Sequence, residues 1–473
     1  MNNTVVLWVV FPIAAGVALS LLQRLPKLYH TLSMLLPAGL AVAAALFAPN
    51  LVLEIAGRRF ILSDSLVFLG RTTQITSNQL PMVSMLYLLC FGWSSLSRFF
   101  KVSQWFGSIS LVITALWVAV QFLNPFIYSA VIIELIALLS VPLLSPRGTR
   151  AGQGIIRFLS MQTIALPLIL LSGWIVSGIE TSPSAEALVL RGALLVLLGF
   201  VLWFGIFPLH SWLPMLTEES HPWTSTFLLS LMQLGLTFFL LKVLNQYGWL
   251  RNLPALDLSL KWIGALCILA AGLIAAFQHN LNRLLGYLFL AETGYILLSI
   301  AFRSMGGLQV LIMTLLPRLF AYWALGYVLS TLLKEAETQT LDFEVLKSFI
   351  WRYPFLSLLI FFSMLNIIGM PLLSLYPSRH ILWNLLPFDS LPLSILVSIG
   401  VLGMLTFFLR LFNVMIQPIV QEPDPSSEKR KESLALILPV VLIVIAMIVL
   451  GIFPDILLTP VQNLLIPFQN LAR

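Results

Sequence analysis

The 473-residue sequence predicts an all-α polytopic membrane protein with about 14 transmembrane helices, two of them broken. Three observations carry this expectation. The chain is 59% hydrophobic and only 10% charged, where soluble domains carry roughly a quarter charged residues. Its apolar residues fall into runs of about 20, the length that crosses a bilayer as a helix. Its Lys and Arg lie mostly between those runs, fifteen in odd-numbered loops against nine in even-numbered loops and the C-terminus. That bias places the odd loops in the cytoplasm and both termini on the non-cytoplasmic side. The net charge of +7 forms no stripe or patch, which argues against a nucleic-acid partner and leaves membrane lipids as the surroundings. Cys90 and Cys267 both sit in apolar runs, so neither a disulfide framework nor a metal site follows.

The runs place spans near 4–22, 30–47, 79–97, 104–122, 125–145, 156–177, 188–207, 222–244, 259–278, 284–302, 308–333, 354–387, 391–416 and 434–453. The first lacks a basic flank and a small-residue cleavage site, and is expected to stay as a span. Between the second and third, LVLEIAG and RRFILSDS alternate around Gly57 and suggest an extramembrane hairpin within Pro49–Asn78. Lys334–Trp351 reads as a surface connector, and Gln421–Lys431 as a polar loop.

The seventh run ends at Pro208 and continues through a short amphipathic turn containing His210 and Pro214, followed by Glu218, Glu219 and Pro222. The twelfth contains Gly369, Pro371 and Pro377 and is too long for one straight span. Proline removes a backbone donor and breaks a helix. In a bilayer such a break survives only where protein or a water-filled cavity satisfies the freed carbonyls. Both breaks are therefore candidates for the working parts.

Once the charges assigned to loops are set aside, four ionisable residues remain inside spans: Glu134, Glu292, Arg318 and Arg379. Each is costly there and is expected to face the bundle interior beside a partner. Arg318 follows Pro317 and is expected on a locally broken helix. Two readings stand. The charges form ion pairs that lock helices together, or they line a proton or ion relay. His210 either adds a protonable group or caps a helix end.

FPLHSWLP, followed by Glu218, Glu219 and Pro222, resembles the PLHxWLPDAHxEAP signature of the antiporter-like membrane subunits of complex I, a superfamily that includes Mrp cation/proton antiporters and membrane-bound hydrogenases. NLNRLLGYLFLAETGYILLSIA (Asn280–Ala301) is similar to the family's DIKRLLAYSSISHLGYILLG. Arg352–Leu382 is similar to its GLPPLAGFFGKF segment. The resemblance implies two inverted five-helix repeats, spans four to eight and nine to thirteen, each with a broken helix. It divides the chain into 1–103, 104–246, 247–418 and 419–473. It implies a Glu/Lys axis through the membrane, an energy-transducing or plasma membrane, and partner membrane subunits. No Fe–S, flavin or nucleotide motif is present, so no cofactor is expected in this chain and Fe–S, flavin and quinone are expected in partner subunits.

Carried over by position, the family's Glu of the fifth span is Glu134, but the Lys five residues before the PLH proline is Trp203. The Lys of the eighth span falls on Gln233. The His and Lys of the eleventh fall near Leu311, Leu315 and Leu319, with Arg318 beside them, and the Lys or Glu of the twelfth falls on Arg379. Glu292 replaces the His of the SHxGY segment, and Met215 the acid of WLPDAH. Trp cannot titrate, and Arg does not readily release a proton. The resemblance thus implies a proton-translocating subunit, a degenerate scaffold in the same assembly, or an Mrp-type or hydrogenase subunit.

Overall fold

The computed structural model describes residues 5–46, 52–55, 58–61, 65–68, 71–74, 77–100, 102–145, 152–181, 186–336, 340–418 and 434–471. The loop expected over Gln421–Lys431 lies outside the described residues. In chain order the helices begin with α1 (Phe11–Leu21), α2 (Pro26–Leu46), α3 (Leu80–Leu96), α4 (Phe106–Phe122), α5 (Ile127–Leu144), α6 (Gln153–Thr181) and α7 (Glu186–Phe204). There follow α8 (Trp212–Glu219), α9 (Pro222–Gln246), α10 (Gly248–Arg251), α11 (Pro254–Ala276), α12 (Leu281–Ala301) and α13 (Gly307–Ala336). The chain continues through α14 (Phe349–Arg352), α15 (Pro354–Ile368), α16 (Tyr376–Asp389), α17 (Leu391–Ile416), α18 (Leu434–Ile452) and α19 (Leu458–Leu465). Between α2 and α3 lie two antiparallel hairpins, β1 (Val52–Ile55) with β2 (Arg58–Ile61) and β3 (Ser65–Phe68) with β4 (Arg71–Gln74), where the sequence suggested one.

The chain is an integral multi-pass membrane protein. Among the described residues, 11 helical segments are long and apolar enough to cross a bilayer, or 12 if a bent C-terminal pair counts as one. The sequence expected about 14. The difference lies in α4, which is short, and in the twelfth run, which divides into α15 and α16 so that neither half qualifies alone.

Two compact units form: Met1–Gly205 with Phe227–Leu256 and Gln462–Arg473, and Ile206–Thr226 with Asp257–Val461. In the first, α1 packs on α4, α2 on α3, α4 on α5, and α6 on α7. The core helix α4 is buried along nearly its whole length. Its Gln121 donates to the Gly235 carbonyl of α9 at 3.0 Å, satisfying a polar group that apolar packing would strand. By contrast α2 exposes Leu28, Leu35 and Val42, seven residues apart on one face. In water that stripe would be an aggregation liability; in a bilayer, acyl chains cover it at no such cost.

In the second unit α12 is the central helix, with every residue but Arg283 buried. The short α8 packs on α12, and a Cβ at Gly286 would collide with the Pro214 backbone. Contrary to the sequence expectation, α13 runs unbroken through Pro317. A buried membrane helix tolerates one lost donor because neighbouring helices hold the remaining turns in place. The expected connector after α13 also starts later, because Lys334 and Glu335 are still helical.

Candidate functional site

The first break starts earlier than Pro208. Helix α7 stops at Phe204, because Gly205 adopts φ +63°, a left-handed conformation that glycine reaches without a Cβ penalty. A 3₁₀ turn over Leu209–Ser211 then leads into α8. His210 lies in this turn but caps no helix. Its half-buried ring rests against Phe207 and Tyr287, at centroid distances of 5.5 and 6.2 Å. Two of the motifs read from the sequence meet here, since Arg283 of α12 lies 3.6 Å from Glu218 of α8. His221, between α8 and α9, accepts from the Trp223 backbone N–H through Nδ1 at 3.3 Å. Burial pushes its imidazole down to about 4.

The second break is built around Asn366. Helix α15 ends at Gly369, with φ +90°, and the Asn366 amide replaces ladder bonds that the break removes. Its Oδ1 accepts from the Leu375 N–H at 2.9 Å, and its Nδ2 donates to Ser374 Oγ at 3.1 Å. Pro371 is exposed in the break, and Pro377 enters the first turn of α16, where its missing N–H costs nothing. The break brings Arg379 inward, and a Cβ at Gly369 would sit 2.8 Å from Arg379 Cγ.

Arg379 and Glu292 form a buried ion pair between α16 and α12. The Arg379 guanidinium also lies 3.4 Å from the centroid of the Tyr295 ring, which adds a cation–π contact. The charge occupies the first turn of α16, where the helix dipole favours an anion. Glu292 therefore offsets both a buried cation and an unfavourable dipole. Arg318, on α13, is 1% exposed and lies within electrostatic reach of Glu292, Tyr322 and Arg379. None of its three guanidinium nitrogens has a hydrogen-bond partner among the described residues. Tyr322 stacks on Phe289 at 3.9 Å and seals this side of the cluster with aromatic surface. Two arginines and one carboxylate thus share an apolar site.

The first unit differs. Glu134 is half-buried; its Oε1 accepts from Thr163 at 2.8 Å, and among the described residues its buried Oε2 has no hydrogen-bond partner and no cation pairs with it. Trp203 is 1% exposed, with Phe200 at 5.6 Å and Phe239 at 6.1 Å between ring centroids. Gln233 is buried on α9, where its backbone carbonyl accepts from Thr237 Oγ1 at 2.5 Å. The structure therefore brings Glu292, Arg318 and Arg379 together, and leaves Glu134 bonded to a hydroxyl.

Sequence reasoning missed Asn366, Thr163 and Lys242. Asn366 and Ser374 flank the second break and were visible as the polar residues in an apolar run. Lys242 reads as a loop charge, yet it lies in α9 and donates to the Leu123 carbonyl at the end of α4 at 2.7 Å.

Residues 154–417 match the family model of the NADH:quinone oxidoreductase/Mrp antiporter transmembrane region. NADH-quinone oxidoreductase subunit N 2 of Solidesulfovibrio magneticus is 27% identical over 182 residues, 38% of either chain. Subunit N of Acinetobacter baumannii is 25% identical over 293 residues, 61% of this chain and 57% of that protein. The matched region thus spans about two-fifths to three-fifths of these relatives' length. Among solved structures, a chain of an archaeal membrane-bound sulfane sulfur reductase superposes with a TM-score of 0.80 at 16% identity, covering 99% of this chain and 98% of that one. A chain of the Mrp complex from Dietzia sp. gives 0.77 at 16% identity, covering 100% and 99%. A chain of respiratory complex I from Thermus thermophilus gives 0.73 at 19% identity, covering 99% and 100%.

Proposed function

Because the chain belongs to the NADH:quinone oxidoreductase/Mrp antiporter transmembrane family, we propose that it is an antiporter-like membrane-arm subunit of a complex I-type NAD(P)H- or ferredoxin:quinone oxidoreductase, with its own first proton path closed. It works there as scaffold and electrostatic element beside membrane subunits that carry complete paths. If α4, the broken α15–α16 pair and the bent C-terminal pair also cross the bilayer, the 11 apolar helices become 14 spans, arranged as two inverted repeats with one break in each. Fe–S, flavin and quinone chemistry belongs to partner subunits.

The observation that carries this reading is Trp203. Where the family has a titratable Lys, this chain has an indole packed between Phe200 and Phe239. An indole N–H donates a hydrogen bond but accepts no proton near neutral pH. In the second unit the acid that replaces the family's His is tied to Arg379, which keeps its proton. Both arrangements favour fixed charge over charge that moves.

The matching family model also spans Mrp antiporters, and that assembly, or a membrane-bound hydrogenase, is the alternative. Affinity purification of the tagged chain from its native membrane, followed by identification of the co-purifying subunits, separates them. Fe–S and quinone-site subunits support the proposal. A set of small Mrp-type subunits without redox partners overturns it.

A further inference from the structure

A second polar site lies in the first unit, away from the buried charges. Two adjoining cavities, of about 520 and 220 Å³, share Pro26, His30 and Arg98 in their walls. They open between the start of α2, the end of α3 and the approach to α4. Lys27 and Arg98 are exposed there, and among the described residues no Asp or Glu lines either cavity. Among the described residues neither Lys27 nor Arg98 has a carboxylate partner. Elsewhere in the chain Lys261, Arg283, Arg303, Lys347 and Arg379 each have one. The smaller cavity is walled by Gln23, whose Nε2 donor is buried without a partner while its Oε1 accepts from Gln104 at 3.4 Å. The first turn of α2, where Pro26 has no N–H and the Tyr29 N–H donates to the Leu25 carbonyl at 2.9 Å, forms part of the wall.

We propose that these cavities bind a phosphate group. Every feature asks for an anion with several acceptor oxygens. Arg98 offers a planar fork, Lys27 a point charge, Gln23 an unused amide donor, and α2 the positive end of its dipole. The larger cavity exceeds the roughly 30 Å³ share of one water many times over, so it accommodates a polyatomic anion. The site lies at the ends of α2 and α3, the depth at which lipid headgroups sit. An anionic phospholipid headgroup and free phosphate present the same chemistry, and the lipid additionally has acyl chains to lie along the exposed Leu28 and Leu35 face.

The test uses the full-length chain in neutral detergent, titrated with phosphatidylglycerol, phosphatidylcholine or inorganic phosphate and followed by native mass spectrometry. The wild-type chain is expected to retain phosphatidylglycerol over phosphatidylcholine. The double variant Lys27→Gln/Arg98→Gln is expected to lose at least about tenfold of that preference, since each basic residue near a membrane surface contributes about a factor of five. The charge-matched variant Lys347→Gln/Arg352→Gln is expected to keep it. Retention of inorganic phosphate with the same dependence on Lys27 and Arg98, without lipid preference, assigns the site to the free anion. Equal retention of both lipids with no phosphate binding overturns the proposal, as does anion binding that survives the double variant. Thermal unfolding of the double variant at the wild-type temperature shows that any loss is not a loss of fold.

Discussion

Arg379 of α16 is ion-paired with Glu292 of α12 although 87 residues separate them in the chain. Both side chains are removed from solvent. A pair of this kind stabilises little relative to an apolar replacement of both partners, but removing one leaves the other charge stranded. Glu292→Leu, which leaves Arg379 and Arg318 buried with no counter-charge, is therefore expected to destabilise the chain by about 3–5 kcal/mol. The triple variant Glu292→Leu/Arg318→Met/Arg379→Met, which leaves no charge in the site, is expected to recover most of that loss. Thermal unfolding in detergent checks both, and a triple variant as unstable as the single one would show that the buried charges are not the cause.

Trp203 is held by Phe200 and Phe239. Trp203→Lys alone is expected to leave the proton-to-electron stoichiometry of the reconstituted assembly unchanged. The substitution supplies one titratable group, but Gln233 and the leucines around Leu315 still interrupt the axis. A clear rise in stoichiometry would show that the remaining path is intact. Trp203→Ala tests packing instead, and an indole-sized cavity is expected to cost about 3–5 kcal/mol.

Gly369 ends α15 in the left-handed region and gives Arg379 its room. Gly369→Ala must take a strained φ and press on Arg379 Cγ, so a loss of about 1–3 kcal/mol is expected. Asn366→Ala, which frees the Leu375 N–H, is expected to cost about 1–3 kcal/mol. Unfolding temperatures of the two variants check these values.

His221 supplies a pH dependence. Its imidazole ordinarily titrates at 6.5, but burial in the folded chain lowers this to about 4. Between those values the unfolded chain binds the additional proton, so stability is unaffected above about pH 6.5 and falls as pH drops towards 4. His221→Gln is expected to flatten that part of the stability curve. An unchanged slope would mean that other groups set it.

Much of this fold was legible because hydropathy is a local property. Apolar runs marked most helices, and Pro208 and Gly369 marked both breaks, the first displaced to Gly205 because a left-handed glycine stops a helix before a proline does. Pro317 misled for the opposite reason. A proline signals a break only when surrounding helices do not hold the turn together, and that information is not in the flanking residues. His210 was considered as a helix cap, but its place in the 3₁₀ turn directs the ring to Phe207 and Tyr287.

The sequence by itself determined the membrane class, the approximate spans, the family resemblance and the loss of the Lys at Trp203, because each is set by residue type at a position along the chain. Only the tertiary structure decided that Glu292 binds Arg379, that Arg318 joins them, that Glu134 settles for Thr163, and that α8 packs on α12. In a low-dielectric interior the partner of a charge is fixed by which helices lie side by side. That is a property of three-dimensional packing, and no local pattern carries it.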